Sequence, residues 1–225
     1  MTNEHVNTWA INTAIQKAIA NGHLAVVERL MLDKRFEPSD KVFLLAMNNN
    51  HLGLVEKLLE DERVDPSVKN NEAIKWAVNN NLLGLVEILL EDERVDPSVN
   101  NNHNETIRWA AKNGHLAIVE KLLSNQRFIP LEDLVSAFEW AAAKGHLAIV
   151  ERMLEDERVD PSVGDNYSIE LAAGKGHLAI VERLLQDKRV NPVGYNNSPI
   201  VNAAADGHIK VVERLLQDGR VDPSR

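Results

Sequence analysis

The chain has no cysteine, which excludes a disulfide framework and any thiolate metal site and fits a reducing compartment. It has no excess of basic charge either. A formal net charge of -9 and a pI near 5.4 argue against a nucleic-acid or anionic-membrane surface, because phosphate binding needs clustered Lys and Arg. Its acids concentrate in runs such as Glu60-Asp61-Glu62, Glu91-Asp92-Glu93 and Glu155-Asp156-Glu157, which read as solvated loops rather than paired catalytic carboxylates. No apolar run approaches a membrane span, and Met1-Thr2-Asn3-Glu4-His5 lacks the basic start and apolar core of a signal peptide. An intracellular setting is expected, cytoplasmic rather than nuclear. Without a secretion signal, the glycosylation patterns at Asn104 and Asn196 read as chance in an Asn-rich chain. No Walker loop, His-Glu-x-x-His helix or Gly-x-Ser-x-Gly elbow is present.

What the chain does have is repetition. The phrase Gly114-His115-Leu116-Ala117-Ile118-Val119-Glu120-Lys121-Leu122-Leu123 recurs in seven variants, its glutamate falling at Glu28, Glu56, Glu87, Glu120, Glu151, Glu182 and Glu213. A period near 30 residues is the mark of a solenoid. The reading is one elongated domain over 1–225, in approximate repeats 8–39, 40–70, 71–103, 104–135, 136–166, 167–197 and 198–225.

The fourth copy shows how each unit is built. Ile107, Ala110 and Ala111 recur on one helical face after Asn104, an N-cap candidate. Asn113-Gly114 then ends the helix, since Gly enters a left-handed turn at least cost. Leu116, Val119, Leu122 and Leu123 form the stripe of a second helix, and Arg127-Phe128-Ile129-Pro130 extends the chain beyond it. Helices this short are marginal alone, so neighbouring copies must supply the core. Paired alanines at 110–111, 141–142 and 172–173 would let the first helices approach closely while leucine-rich second helices form a thicker layer, which implies a curved stack.

The chain resembles the ankyrin repeat family through Leu171-Ala172-Ala173-Gly174-Lys175-Gly176-His177-Leu178-Ala179-Ile180-Val181-Glu182, and the likeness covers almost its whole length. Ser198-Pro199-Ile200-Val201 is similar to the family's Thr-Pro-Leu-His start, whereas Glu105-Thr106-Ile107-Arg108 and Glu72-Ala73-Ile74-Lys75 depart from it. The usual Gly-Ala-Asp-Val-Asn loop is replaced by versions of Asp61-Glu62-Arg63-Val64-Asp65-Pro66. The resemblance implies an all-α helix-turn-helix solenoid of about seven stacked repeats with extended connecting loops, binding a protein through its concave groove and loop tips.

Several columns invite chemistry. His23, His51, His115, His146, His177 and His208 form a ladder, but stacked helices stand about 8–10 Å apart and no third ligand accompanies any pair, so these read as turn residues and no metal is expected. Gly174-Lys175-Gly176-His177-Leu178-Ala179 has the letters of a dinucleotide fingerprint but joins two helices instead of following a strand, so no cofactor is expected. Arg35, Arg63, Arg94, Arg127, Arg158, Arg189 and Arg220 stand seven residues after each repeat glutamate and are expected to tie each loop to a neighbour rather than form an anion stripe. Trp76, Trp109 and Trp140 share the apolar column of the first helix and are expected in a stacked core.

Partner recognition belongs where the copies differ. The ends of the first helices run from amides at Asn79 and Asn80 to cations at Lys112, Lys144 and Lys175, and one exposed column reads Lys75, Arg108, Glu139, Glu170. That column serves either an inter-repeat charge ladder or a partner. Tyr167 and Tyr195, the only tyrosines, offer contact area in the rear loops. The first copy carries polar Gln16 and Lys17 on its first helix, as a capping repeat should, while Ile209 to Leu216 repeats the ordinary stripe and leaves the last repeat uncapped. The expected function is a non-enzymatic protein-protein interaction scaffold, a monomer with end-to-end contact through the last repeat as an option. Alternatives are a substrate-recruiting adaptor, a designed or reconstructed array without a natural partner, and, less favoured, an enzyme or small-molecule binder, which needs an enclosed pocket.

Overall fold

The periodic apolar stripes become helices throughout. The computed structural model describes residues 3–95, 105–125 and 129–221, with fourteen α-helices and no strand among the described residues. The N-cap candidate Asn104, and Arg127 with Phe128, lie outside them. The chain divides into two compact units, Met1–Ala77 with Glu87–Asp96, and Val78–Val86 with Pro97–Arg225.

The first unit contains α1 (Asn3–Ala20), α2 (Leu24–Met31), α3 (Asp40–Asn48) and α4 (Leu52–Leu59); α5 (Val68–Asn79) and α6 (Leu83–Glu91) contribute residues to both units. α1 packs on α2 and α3, and α3 on α4. Ile15, Ile19, Phe43, Met47, Leu58 and Ile74 are fully buried. Each such side chain contributes roughly 1.5–3 kcal/mol of burial that an isolated helix pair lacks.

The second unit continues with α7 (Glu105–Lys112), α8 (Leu116–Ser124), α9 (Leu131–Lys144), α10 (Leu147–Leu154), α11 (Val163–Gly174), α12 (Leu178–Leu185), α13 (Ser198–Ala205) and α14 (Ile209–Leu216). First helices stack as α7 on α9, α9 on α11 and α11 on α13; second helices stack as α8, α10, α12 and α14. Ala110, Ala111, Ala141, Ala142, Ala172 and Ala173 are all completely buried, as the close-approach argument requires. The two layers are therefore set by side-chain size: a methyl lets backbones approach where a leucine holds them apart.

Local departures have local causes. Gly164, Asp165 and Asn166 all take left-handed angles at the start of α11, so its regular stretch starts near Tyr167. No such turn precedes α9. Pro130 caps it at φ -54 and Leu131 already begins the helix. In the tight turns Gly114, Gly145 and Gly176 have φ of 78, 82 and 73, while Asn50 and Asn81 take the same position at φ 58 and 55. Asn is the side chain that tolerates this region best after Gly.

Candidate functional site

Two backbone devices organise the repeats. In the first, the Nε2 of His51, His146, His177 and His208 each lies 3.1 Å from the carbonyl of Ile19, Lys112, Ala143 and Gly174 respectively, one repeat earlier. A carbonyl only accepts, so Nε2 carries the proton and donates. These imidazoles thus close helix ends, the structural role expected of the ladder. His115 differs: its Nε2 is buried without a partner among the described residues, and desolvation followed by the charge of His146 pushes its pKa down.

In the second device Arg35, Arg63, Arg94, Arg158, Arg189 and Arg220 each grip the aspartate two residues before them. Nε and Nη2 of Arg220 reach Asp218 at 2.8 Å each, and its backbone amide donates to the same carboxylate. Nη1 then reaches back to the preceding loop, Arg94 to Val64 O at 3.0 Å, Arg189 to Val159 O at 3.1 Å and Arg220 to Val190 O at 2.9 Å. The valines themselves are buried. Arg94, Arg189 and Arg220 thus tie loop to loop as expected, whereas Arg35 and Arg63 hold only their own aspartates; among the described residues the column forms no bare guanidinium stripe.

Amides at the helix ends act similarly. Asn21, Asn49 and Asn113 each donate Nδ2 to the carbonyl four residues earlier. The Asn-rich turns are thereby explained by capping and by the left-handed Asn50 and Asn81.

With those columns assigned to structure, a face remains along the first helices of the second unit. A hollow of about 130 Å³ is lined by Arg108, Trp109, Lys112 and Trp140. The next, about 280 Å³, is lined by Arg108, Ser136, Glu139, Trp140, Ala143, Tyr167 and Leu171. A third, about 230 Å³, has Tyr167, Glu170, Lys175, Asn202 and Asp206 in its walls. Shared residues join them: Trp140 and Arg108 wall the first two, Tyr167 the second and third.

The tryptophans correct the expectation of a core cluster. Trp109 is 39% exposed, and Trp76 and Trp140 are half-buried. Small alanines fill the seam between first helices, so an indole in this column is displaced to its rim. Lys112 Nζ stands 5.1 Å from the Trp109 ring and 4.2 Å from the Trp140 ring, with Lys144 Nζ 5.8 Å from Trp140, all within cation–π range.

The exposed charge column is not a ladder of ion pairs where it can be followed. Glu170 accepts from Ser198 Oγ at 2.6 Å and from Asn202 Nδ2 at 3.0 Å, so α13 engages it by hydroxyl and amide. Neither Arg108 nor Glu139 has an ion-pair partner within 4.0 Å among the described residues. Burial raises the pKa of Glu139, and the Arg108 Nε is buried with no acceptor among the described residues.

Of the residues singled out from sequence, the face thus gathers Arg108, Lys112, Glu139, Lys144, Tyr167, Glu170 and Lys175. Lys75 in the first unit, and the exposed Asn79 and Asn80 in the second, are not among the walls of these hollows. Tyr195 stands 68% exposed in a short 3-10 turn, Tyr195–Asn197. Sequence reasoning missed the tryptophans as walls, along with Ser136, Leu171 and Asn202. It also missed a hollow of about 420 Å³ in the first unit around Thr8, Trp9, Asn12 and Glu37. The Trp9 signal was present, an aromatic at a polar stretch of α1, and it is 70% exposed.

No described helix is long and apolar enough to cross a membrane. A family model described as ankyrin repeats, in three copies, matches residues 42–133 and again 138–225. No curated protein matches the chain in sequence.

Proposed function

The chain belongs to the ankyrin repeat family, and we propose that it is a protein-binding scaffold whose first-helix face in the second unit takes the partner, without chemistry of its own. Ankyrin repeats generally mediate protein-protein interactions. The observation that carries the reading here is the run of joined hollows walled by Trp109, Trp140 and Tyr167. Aromatic residues supply contact area at low entropic cost and are enriched at interface hot spots.

The binding set is Arg108, Lys112, Glu139, Lys144, Tyr167 and Lys175, with Trp109 and Trp140 as walls. Glu170 belongs to the set as a wall of the third hollow, held there by Ser198 and Asn202. Lys75, Asn79, Asn80 and Tyr195 extend the set as outlying contacts. The setting proposed is intracellular, cytoplasmic rather than nuclear, and residues 1–225 are proposed to fold as one seven-repeat array. A single cooperative thermal transition supports that last point; two separated transitions overturn it.

The test is site-specific photo-crosslinking in cells of the source organism. Probes at Lys144 and Lys175 should capture the same protein, while probes at Ala179 and Glu182 on the second-helix layer should not. Equal capture from both layers would overturn the reading. A second reading, pairing of two copies end to end, is favoured by the exposure of Ile209 and Leu216 in the last repeat. It predicts a dimer by light scattering that Ile209→Glu dissolves.

A further inference from the structure

We infer that the segment bound by this face is an acidic peptide, whose carboxylate seats between Arg108 and Lys112 against Trp109 and Trp140. The inference rests on the preceding reading that the first-helix face is the binding face, and adds the chemistry of what binds there.

The first support is charge. The loop arginines Arg35, Arg63, Arg94, Arg158, Arg189 and Arg220 all hold an aspartate two residues away. By contrast Arg108, Lys112, Lys144 and Lys175 have no carboxylate within 4.0 Å among the described residues. Four such cations on one face of a chain whose net charge is -9 run against its composition. The acids beside them are Glu139, Glu170 and Asp206; both oxygens of Glu170 are turned to Ser198 and Asn202 on α13, and none of the three is within 4.0 Å of these cations.

The second support is an unmet hydrogen bond. The Arg108 Nε–H is shielded from water and has no acceptor, a state that costs free energy until an acceptor arrives. A carboxylate fits that need best once the Arg108 side chain turns outward to it, because a guanidinium presents parallel donors to two oxygens. The third is position. Arg108, Trp109, Lys112 and Trp140 wall one hollow, and the Lys112 ammonium is held over both indole rings. An aspartate or glutamate entering there meets two cations at its oxygens and aromatic surface along its methylenes. A basic segment would face four like charges and leave Nε–H unmet.

Calorimetric titration of the full chain tests this with three synthetic peptides of equal length: one rich in Glu and Asp, its Gln and Asn counterpart, and a Lys-rich version. The acidic peptide should bind at low salt, weaken as salt rises, and exceed the amide counterpart by about tenfold or more. Arg108→Gln and Lys112→Gln should each weaken it about tenfold. Lys188→Gln, an exposed cation off this face, should leave it unchanged. Arg108→Lys keeps the charge but loses the fork and should fall between, a check that holds if the Gln variant folds poorly.

Failure to bind the acidic peptide, equal binding of the amide or Lys peptide, or indifference to the Arg108→Gln, Lys112→Gln double variant overturns the inference. If the amide or Lys peptide binds and Trp109→Ala abolishes it, the face remains a binding face and only the acidic preference is lost. If no peptide binds and crosslinks map to the second-helix layer, both readings fall.

Discussion

The imidazole of His208 occupies the space that a β-carbon on Gly176 would need, its Nδ1 lying 2.6 Å from that position. The same relationship joins His177 to Gly145 and His146 to Gly114, at 2.8 and 2.9 Å. Glycine is thus required twice at this turn, once for its left-handed φ and once for the histidine of the next repeat.

Alanine scanning separates the two requirements. Gly207 has φ of 77 with nothing within 4 Å of the added carbon, so Gly207→Ala should cost only the left-handed penalty, roughly 1–2 kcal/mol. Gly176→Ala should cost about 1 kcal/mol more, a typical effect of overpacking, and the excess should vanish in the His208→Ala background. Thermal or urea unfolding of the four variants closes the cycle. An excess that survives removal of the imidazole would refute the contact.

The loop clasp should be worth more where the arginine reaches a preceding loop. Arg220→Ala removes a two-point carboxylate contact and bonds to Val190 O and Leu185 O, and should destabilise by about 1–3 kcal/mol. Arg35→Ala, whose arginine contacts only Asp33 among the bonds described, should move the melting temperature much less. The hydrogen bond and charge of Arg220 hold the Asp218 carboxyl below its ordinary pKa. That contribution is complete above the ordinary carboxylate range and fades as pH falls toward the depressed value. Arg220→Ala should therefore cost less in strong acid, where only the bonds to Val190 O and Leu185 O are left to lose, and unfolding at neutral and acidic pH measures the difference.

Glu139 has the opposite sign. Burial lifts its pKa, so the folded state favours the proton, and stability is lost as pH rises from the ordinary carboxylate value through the raised one. Glu139→Gln should raise the melting temperature at neutral pH and leave it unchanged below the ordinary carboxylate range. An equal gain at both pH values would show that the charge is not the cause.

Glu170→Ala tests whether this candidate contact also holds α11 to α13. It removes the acceptor of Ser198 Oγ and Asn202 Nδ2, and should destabilise by roughly 1–3 kcal/mol. Tyr167→Ala, 42% exposed, should lower partner affinity with little loss of stability. Denaturation and binding measured on both variants should give opposite rankings; matching rankings would merge their roles.

Much of the fold was legible in the sequence because its rules are local. A stripe at i, i+3, i+7 buries one face of a helix wherever it occurs, and a Gly or Asn at the turn reports a left-handed residue without reference to neighbours. The start of α9 was less legible: Pro130 allows a helix to begin at once, and only the presence or absence of a left-handed turn such as Gly164-Asp165-Asn166 decides where it does. For the candidate face, the column Arg108, Glu139, Glu170 was visible as a column. Whether its members pair with one another was not, because that depends on side-chain reach across adjacent helices.

The sequence by itself determined the repeat, the helix pair and the buried alanine seam, since each follows from periodicity and side-chain size. Tertiary structure alone decided that Trp109 and Trp140 line a surface instead of a core, that the loop arginines are spent on aspartates and carbonyls, and that Arg108 is left with an unmet donor. Periodicity specifies which residues share a column. Only the packed helices fix the distances at which two members of neighbouring columns meet.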